Sequence, residues 1–240
     1  MASGTSAANL LPSARVPALE RVPGLVHGFE RRPPGALASS LDESRARVAQ
    51  ALAPFGRLLL MKQVHGAAVR QAPWQGRPEG DAAVADRAGF LLGIETADCL
   101  PVLLVDPVRR AASAAHAGWR GSAKGVVRAA VAELVRGGSR AGDILAALGP
   151  ANGACCYEVG EELRASFPED WADITRAGPR GRPHLDVREA NVRQLLRAGL
   201  RSESLHHVND CTFCQPERYY SYRRDGAHGG RMISYVGWSA

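Results

Sequence analysis

Short apolar runs, separated by glycine, proline and aspartate, dominate the chain between Leu58 and Ala117. Their length and their turn-forming boundaries are typical of β-strands. Several runs are apolar at consecutive positions, which indicates strands that are covered on both faces. The predicted strands lie within "LLLMKQVHG", "AAVRQA", "DAAVAD", "GFLLGIETADC", "PVLLVD" and "AASAAHAG".

Helical spacing follows the last of these strands and predicts a helix over residues 121–136, with two glycines as its stop. The apolar positions with this spacing are Val126, Val127, Ala130, Val131, Leu134 and Val135. We predict further helices after an N-cap at Ser40 or Asp42, near "VGEELRASF", and over "VREANVRQLLRAG", which Gly199 closes. Two more strands are predicted at "ILAALGP" and "RMISYV".

This order of elements is neither a regular alternation of strand and helix nor an all-β repeat. It favours an α+β fold with central sheet and helices outside. A length of 240 residues without a repeat or a long linker fits one domain, over residues 16–240, behind a loose tail at residues 1–15. We predict neither a membrane span nor a secretory signal, because no apolar run approaches twenty residues and the N-terminus lacks a basic segment.

Composition adds two constraints on location and partners. The net charge of +6 could indicate a nucleic-acid partner, but the arginines are scattered and form no basic stripe, so an anionic small molecule explains the charge equally well. Five cysteines, an odd number that includes the neighbours Cys155 and Cys156, do not resemble a disulfide framework. A cytoplasmic protein without nucleic-acid or membrane partners is therefore expected.

Three polar segments lie at the ends of apolar runs, and each offers one ligand for a metal ion. They are "KQVHG", "TADC" and "HAGWRG", and the ligands are His65, Cys99 and His116. Two imidazoles and a thiolate would make the three protein ligands of a catalytic zinc site. Because the ligands are far apart in the chain, spacing does not support the grouping, and buried structural roles stay open for all three.

Other candidate groups have equally ordinary structural interpretations. Asp81 and Asp98 stand at strand ends, where a carboxylate could move protons, support a metal ligand, or cap a turn. The pair Cys211 and Cys214 forms a C-x-x-C, but a structural zinc site needs a second pair, and the adjacent Cys155 and Cys156 have the wrong spacing. The arginines of "SYRRDGAHGGR" could clamp an anion or belong to a solvated loop.

Taken together and in order, the motifs resemble the YfiH or laccase-domain family, also called the polyphenol oxidase family, which includes peptidoglycan editing factors. The segments that carry the resemblance are "KQVHG", "GDAAVAD", "TADCLPVLLVD", "AAHAGWRGSAKGVV", "LGPANGACCYEVG", "LDVREANVRQLL", "DCTF" and "YYSYRRDGAHGGRM". The resemblance implies a layered αββα sandwich with mixed sheets, and one zinc ion held by His65, Cys99 and His116. One segment departs from the family pattern: Ala151 and Asn152 stand where family members generally carry an isoleucine-containing G-P-x-I-G, which places a polar residue near the pocket wall.

The same resemblance implies enzyme activity on a purine nucleoside and phosphate. We expect the protein to be a monomer or a weak dimer. We expect phosphorolysis of adenosine, inosine, guanosine and methylthioadenosine, and deamination of adenosine by water activated at the zinc, with Asp98 moving the proton. The residues expected to bind substrate are Lys62, Gln63, Arg120, Arg223 and Arg224, with Arg231 in reserve. N–H groups of residues 121–124 are expected to assist Arg120 with phosphate.

Two other activities are associated with the family. A hydrolase that corrects a misincorporated amino acid in a UDP-muramoyl cell-wall precursor is the alternative. Copper-dependent phenol oxidation is disfavoured as a multicopper reaction, because the chain has seven histidines and no H-x-H pair.

Overall fold

The computed structural model describes residues 11–35 and 40–240. Its strands are β1 (Ser13–Ala14), β2 (Leu25–Glu30), β3 (Arg57–Leu59), β4 (Val69–Gln71), β5 (Ala82–Ala85), β6 (Phe90–Thr96), β7 (Leu100–Asp106), β8 (Ala111–Ala117), β9 (Leu145–Leu148), β10 (Thr175–Ala177), β11 (Pro183–Leu185), β12 (Leu205–His207) and β13 (Met232–Trp238). The α-helices are α1 (Pro17–Glu20), α2 (Leu41–Leu52), α3 (Trp119–Ala123), α4 (Val126–Arg136), α5 (Trp171–Ile174), α6 (Val187–Arg197) and α7 (Tyr222–Asp225). Short 3-10 turns occupy Ala141–Asp143, Glu161–Ser166, Ser202–Ser204 and Gly226–His228.

Two mixed sheets form the centre of the molecule. A five-stranded sheet has the order β1-β2-β13-β6-β3, and a six-stranded sheet has the order β12-β9-β7-β8-β5-β4. Both contain parallel and antiparallel pairs: β3 runs parallel to β6, and β12 parallel to β9, whereas β7 is antiparallel to β8. The antiparallel ribbon β10–β11 is separate.

Helices cover the outer faces of both sheets, and a shared apolar core fills the space between the sheets. Leu92 and Val236 of the five-stranded sheet belong to the same buried cluster as Leu103 of the six-stranded sheet. On the outside, α2 packs against the five-stranded sheet, and α4 and α6 pack against the six-stranded sheet. The predicted single-domain αββα sandwich is confirmed.

Strand β7 shows why the central runs are apolar at consecutive positions. Val102 and Leu104 face the helix layer, whereas Leu103 and Val105 face the other sheet, so alternate side chains enter two different cores. Strand β8 behaves in the same way, and all seven of its residues are buried. The sequence-based expectation of strands covered on both faces is therefore confirmed.

Three local details differ from or refine the sequence-based predictions. The single helix predicted over residues 121–136 is two helices, because Gly125 adopts a left-handed conformation with a φ of 77° between α3 and α4. "VGEELRASF" forms a 3-10 turn rather than an α-helix. The predicted cap of α2 is Ser40, whose side chain accepts from the Glu43 N–H while the Glu43 carboxylate accepts from the Ser40 N–H.

The described end of the predicted N-terminal tail, residues 11–15, packs into the fold. Residues 1–10 of the predicted tail lie outside the described residues. Ser13–Ala14 forms an antiparallel pair with β2, and Leu11 and Ala14 are buried, so residues 11–15 belong to the fold. No helix in the described part of the chain combines the length and apolar character needed to cross a membrane.

Candidate metal centre and active-site cavity

His65, Cys99 and His116 come together where the ends of several strands meet. His65 lies in the loop between β3 and β4, Cys99 in the tight β6–β7 connection, and His116 near the end of β8. The register of β7 on β8 sets Pro101 opposite His116, which brings the neighbouring Cys99 close to that imidazole. The three ligand atoms lie within 4.8 Å of one another, and His65 Nε2 lies 4.0 Å from Cys99 Sγ.

The buried carboxylate of Asp81 fixes both histidines. Its Oδ1 lies 2.9 Å from His116 Nδ1 and accepts the His65 backbone N–H at 2.9 Å. Its Oδ2 accepts the backbone N–H groups of Val64 and Gly66. A carboxylate that holds one ring nitrogen of a histidine leaves the other nitrogen for a metal ion, which is the usual support for histidine ligands. Asp81 is therefore a positioning residue.

Close packing at Gly118 explains the small residue after His116. A Cβ atom at this position would lie 2.7 Å from Cys99 Sγ and 3.2 Å from His65 Cδ2. Any larger residue would displace two of the three candidate ligands. The glycine in "HAGWRG" therefore allows the ligands to approach one another.

The charges of Cys99 and His116 are coupled. Burial opposes the ionisation of Cys99, but the adjacent His116 imidazolium lowers the pKa of the thiol to about 6. Burial likewise opposes protonation of His116, but the Cys99 thiolate and the Asp81 carboxylate raise its pKa to about 9. In the metal-free protein the two groups therefore form a thiolate–imidazolium pair, and Cys99 carries the negative charge that a metal ion prefers.

The donor set and its surroundings fit a zinc ion with an open position. Two imidazoles and one thiolate, with Asp81 fixing the ring of His116, are the ligands expected for a three-ligand zinc site. The three side chains line one wall of a cavity of about 660 Å³, so a fourth ligand would come from solvent or substrate. This volume is within the range of small-molecule sites.

Most of the residues predicted to bind substrate line this cavity, together with groups that sequence reasoning missed. Lys62, Gln63, Asp98, Arg120, Arg223 and the reserve Arg231 line it. So does Asn152, the polar residue in the segment that departs from the family pattern. The missed lining residues include Arg45, Arg77, Glu95, Trp119, Tyr157 and Tyr222.

Arg224 does not line the cavity, which corrects its predicted role. Its guanidinium donates to the carboxylate of Asp225 and to the backbone carbonyls of Thr212, Phe213 and Tyr219. These partners belong to the segment between β12 and the end of α7, residues 208–225, which we call the C-terminal loop. Arg224 therefore ties this loop together.

Two lining residues are already engaged by other protein groups. The Gln63 amide donates to the Glu95 carbonyl and accepts the Glu95 backbone N–H, both at 2.8 Å, so it joins two segments of the cavity wall. Lys62 makes an exposed ion pair with Glu79 at 2.9 Å. The Glu95 carboxylate in turn receives the guanidinium groups of Arg45 and Arg77. These groups shape the rim of the cavity.

Arg120 has a different environment from the other lining cations. It is exposed, and its guanidinium lies over the ring of Trp119 at 4.4 Å from the ring centre. In the described part of the chain no carboxylate or carbonyl pairs with it. The expected help from N–H groups of residues 121–124 is corrected in part, because those of Ser122 and Lys124 already donate to the carbonyls of Gly118 and Arg120.

Asp98 lies at the junction of the cavity with the C-terminal loop. Its φ of 92° is unusual for a residue other than glycine and stores strain that the surrounding contacts must offset. The Thr212 hydroxyl donates to Oδ1, and the Arg223 backbone N–H donates to Oδ2, both at 2.6 Å. Asp98 is thus held rigidly next to Cys99, with its carboxylate at the cavity wall.

The chain matches the family model described as multi-copper polyphenol oxidoreductase laccase over residues 36–239. It is 35% identical to purine nucleoside phosphorylase YlmD of Geobacillus stearothermophilus, covering 81% of this chain and 77% of the relative. It is 36% identical to adenosine deaminase RL5 of an unknown prokaryotic organism, and the match covers 64% of this chain and 60% of the relative. The crystal structure of Bacillus licheniformis hypothetical protein YfiH superposes with a TM-score of 0.83 at 26% identity, covering 95% of this chain and 97% of that one. The predicted resemblance is confirmed, and the chain belongs to this laccase family.

Proposed function

We propose that this chain is a zinc-dependent enzyme that splits purine nucleosides with phosphate and also deaminates adenosine. The single observation that carries the proposal is the convergence of His65, Cys99 and His116 on a nucleoside-sized cavity that Arg120 also lines, where no carboxylate of the described residues pairs with its guanidinium. The names of the relatives support a general role in purine nucleoside processing. The nucleosides proposed as substrates are adenosine, inosine, guanosine and methylthioadenosine.

Zinc is the proposed metal, with one ion at this centre held by His65, Cys99 and His116. A zinc ion with an open position supplies Lewis acidity at neutral pH, which activates water or polarises a substrate oxygen or nitrogen. The protein contributes the thiolate of Cys99, which the neighbouring imidazolium already favours, and the fixed ring of His116. Two imidazoles and one thiolate at this centre fall far short of the many histidines that several copper ions need.

Arg120 is the group that we assign to phosphate. A guanidinium can bind a phosphate through two parallel hydrogen bonds, which positions the anion as well as neutralising it. Most other lining cations already have partners: Arg45 and Arg77 pair with Glu95, and Lys62 pairs with Glu79. Among the described residues Arg120 has no such ion-pair partner, so it can bind an anion without first breaking an ion pair.

The purine base needs flat apolar surface, and aromatic rings at the cavity wall supply it. Trp119, Tyr157 and Tyr222 all line the cavity. Rings of this kind bury a large area and stack on a planar base. Burial raises the pKa of Tyr157 further above neutral, so its hydroxyl is available as a hydrogen-bond donor to a substrate.

Asp98 is the group that we assign to proton movement in deamination. Its carboxylate lies beside Cys99 at the cavity wall, where it can take a proton from water and deliver it to the departing amine. The hydrogen bonds from Thr212 and Arg223 fix its orientation. Each oxygen keeps a second lone pair for substrate or water.

The proposed compartment is the reducing cytoplasm. None of the five cysteines forms a disulfide, including Cys155 and Cys214, which are exposed. Exposed thiols persist in reducing compartments and oxidise elsewhere.

A nucleoside panel with and without phosphate tests the proposal. Purified protein is incubated with each nucleoside, and the products are separated by chromatography. We expect the free base and ribose 1-phosphate only when phosphate is present, and inosine from adenosine with or without phosphate. If no nucleoside is converted while a UDP-muramoyl cell-wall precursor is hydrolysed, the proposal is wrong and the alternative activity takes its place.

A further inference from the structure

The remaining four cysteines form a second cluster on two loops that are distant in the chain. Cys155 and Cys156 follow β9, and Cys211 and Cys214 lie between β12 and α7. The loops are joined through their backbones next to the cysteines: Ala151 and Cys211 form an isolated parallel bridge. The Thr212 N–H donates to the Ala151 carbonyl at 3.0 Å. The fold itself thus brings the C-x-x-C to the adjacent pair.

The sulfur atoms converge on one point. All four Sγ atoms lie within 4.8 Å of one another, with Cys214 Sγ at 3.2 Å from Cys156 Sγ and 3.7 Å from Cys155 Sγ. Thiolates bind zinc at about 2.3 Å in a tetrahedron, which places neighbouring sulfurs roughly 3.8 Å apart. The spacing of the four sulfurs therefore surrounds a single ion of this kind.

The backbone around Gly153 supports such a site. Its N–H donates to Cys211 Sγ at 3.3 Å, a contact that stabilises negative charge on the sulfur. A Cβ at Gly153 would lie 3.2 Å from Cys155 Sγ and 3.4 Å from Cys211 Cβ, so the absence of a side chain leaves room for the cluster. Gly153 O accepts the backbone N–H groups of Cys156 and Tyr157, which turns both adjacent thiols toward the second loop.

We propose that Cys155, Cys156, Cys211 and Cys214 bind a second zinc ion, separate from the one at His65, Cys99 and His116. Four thiolate ligands leave no open position, so this ion has a structural role and takes no part in the chemistry. Thiolates are soft donors that select zinc over calcium or magnesium. Cys214 Sγ lies close to both Cys155 Sγ and Cys156 Sγ, an arrangement around one point that suits a single ion, whereas a disulfide would join Cys214 to one of them only.

The second ion would stabilise one wall of the active-site cavity. Thr212 lies between the two cysteines of the C-x-x-C, and its hydroxyl donates to Asp98 Oδ1. On the other loop, the Asn152 N–H donates to the Asp98 carbonyl at 2.9 Å, and Tyr157 lines the cavity directly after Cys156. An ion between the two loops therefore holds in place the groups that orient Asp98.

Metal analysis of tag-free protein tests this inference without any activity assay. We expect about two zinc ions per chain in the wild type and about one in Cys214→Ser. The reciprocal variant His116→Ala serves as the matched control, and it should also hold one zinc, now at the four-cysteine site. Equal zinc content in the wild type and Cys214→Ser, or iron in place of zinc at this cluster, would overturn the proposal.

X-ray absorption at the zinc edge of the wild type keeps the test independent of variant folding. Two occupied sites give five sulfur ligands to two imidazoles, whereas the His65, Cys99 and His116 site alone gives one sulfur to two imidazoles. We expect the sulfur-rich spectrum, with Zn–S distances near about 2.3 Å. A nitrogen-rich spectrum, or a Cys156–Cys214 disulfide found by mass spectrometry of protein purified under reducing conditions, would contradict the second site.

Discussion

The two cysteine-containing clusters differ in their donors, their support and their access to solvent. The His65–Cys99–His116 centre stands at strand ends, has a buried carboxylate behind it and faces a cavity. The four-cysteine cluster stands on loops, has backbone N–H support, and none of its cysteines lines that cavity. Three ligands that a buried carboxylate supports, with one position open to a cavity, suit catalysis, whereas four ligands that surround one ion suit structure.

The thiols of the two clusters also differ in acidity. The His116 imidazolium lowers the pKa of Cys99 to about 6 in spite of burial. Burial and neighbouring thiols raise the pKa of Cys155 to about 11. Cys99 is therefore ionised at neutral pH before a metal arrives, whereas the Cys155 thiol loses its proton only when a cation binds. Within the same cluster, however, the Gly153 N–H lowers the pKa of Cys211 in spite of burial, so a neighbouring imidazolium favours the charge at Cys99 and a backbone N–H favours it at Cys211.

The largest expected effect comes from removing a ligand of the first centre. His116→Ala should lower both phosphorolysis and deamination by about 10³-fold or more, since Lewis-acid stabilisation contributes several kcal/mol. His206→Ala, on strand β12 outside the cavity, is the matched control. Steady-state rates of both reactions, with circular dichroism to check folding, measure the effect. Full activity in the His116 variant would show that the first centre is not catalytic, and the proposed difference in role between the two clusters would be wrong.

Removing the carboxylate behind the ligands should have the next largest effect. Asp81→Asn removes the charge that holds His116 and three backbone N–H groups, and outer supports of this kind typically contribute 10–100-fold in metal affinity. Asp106→Asn is the control, because Asp106 is also buried at a strand end but caps the turn at Val108 and Arg109. Competition with a zinc chelator measures the affinity, and equal affinities in the two variants would remove the assigned role of Asp81.

A selective effect is expected at Arg120. Arg120→Lys keeps the charge but loses the two-pronged geometry, which contributes on the order of 1.5–3 kcal/mol with an anion. Phosphorolysis should therefore fall roughly ten- to hundredfold, whereas deamination, which uses no phosphate, stays at the wild-type rate. Arg136→Lys, at the exposed end of α4, controls for the substitution itself. Equal loss of both reactions with zinc retained would show that Arg120 maintains the pocket and does not bind phosphate.

The smallest effect is expected at Thr212, which lies between Cys211 and Cys214 and contacts Asp98 beside the first centre. Thr212→Val removes the hydroxyl that donates to Asp98 but keeps the shape of the side chain, so adenosine deamination should fall about tenfold or less. Zinc content should not change. Thr175→Val is the control, since its hydroxyl makes a hydrogen bond of the same 2.6 Å length to Trp171, in a different part of the chain. An unchanged deamination rate would contradict the assignment of proton transfer to Asp98.

Strand positions could be predicted from the sequence because periodicity and burial agree there. The run from Leu100 to Val105 is apolar throughout, and its strand, which ends at Asp106, is buried on both faces. The split between α3 and α4 was not predicted, since one glycine within a helical pattern does not by itself reveal a left-handed conformation. The short strand Ser13–Ala14 was missed because two residues carry no periodic signal, and only pairing with β2 orders them.

The site was less accessible to sequence reasoning, because its parts are joined by the fold and not by spacing. Residue types and strand ends suggested that His65, Cys99 and His116 form a group, but only the family resemblance supported it. The C-x-x-C at Cys211 lacked a partner at a recognised spacing, whereas the structure supplies one through the bridge at Ala151. Arg224 was misassigned because a sequence of adjacent arginines does not indicate which side chain faces a cavity and which binds local carbonyls.

Removal and return of the metal tests the central claim most directly. Zinc is stripped from the wild type and from His116→Ala with a chelator, zinc is added back in measured amounts, and adenosine deamination is followed throughout. We predict that the wild type loses its activity on stripping and recovers it as zinc returns, whereas His116→Ala stays inactive at every zinc concentration. Deamination that persists in the metal-free wild type, or that zinc restores equally in His116→Ala, would contradict the assignment of this centre as the catalytic one.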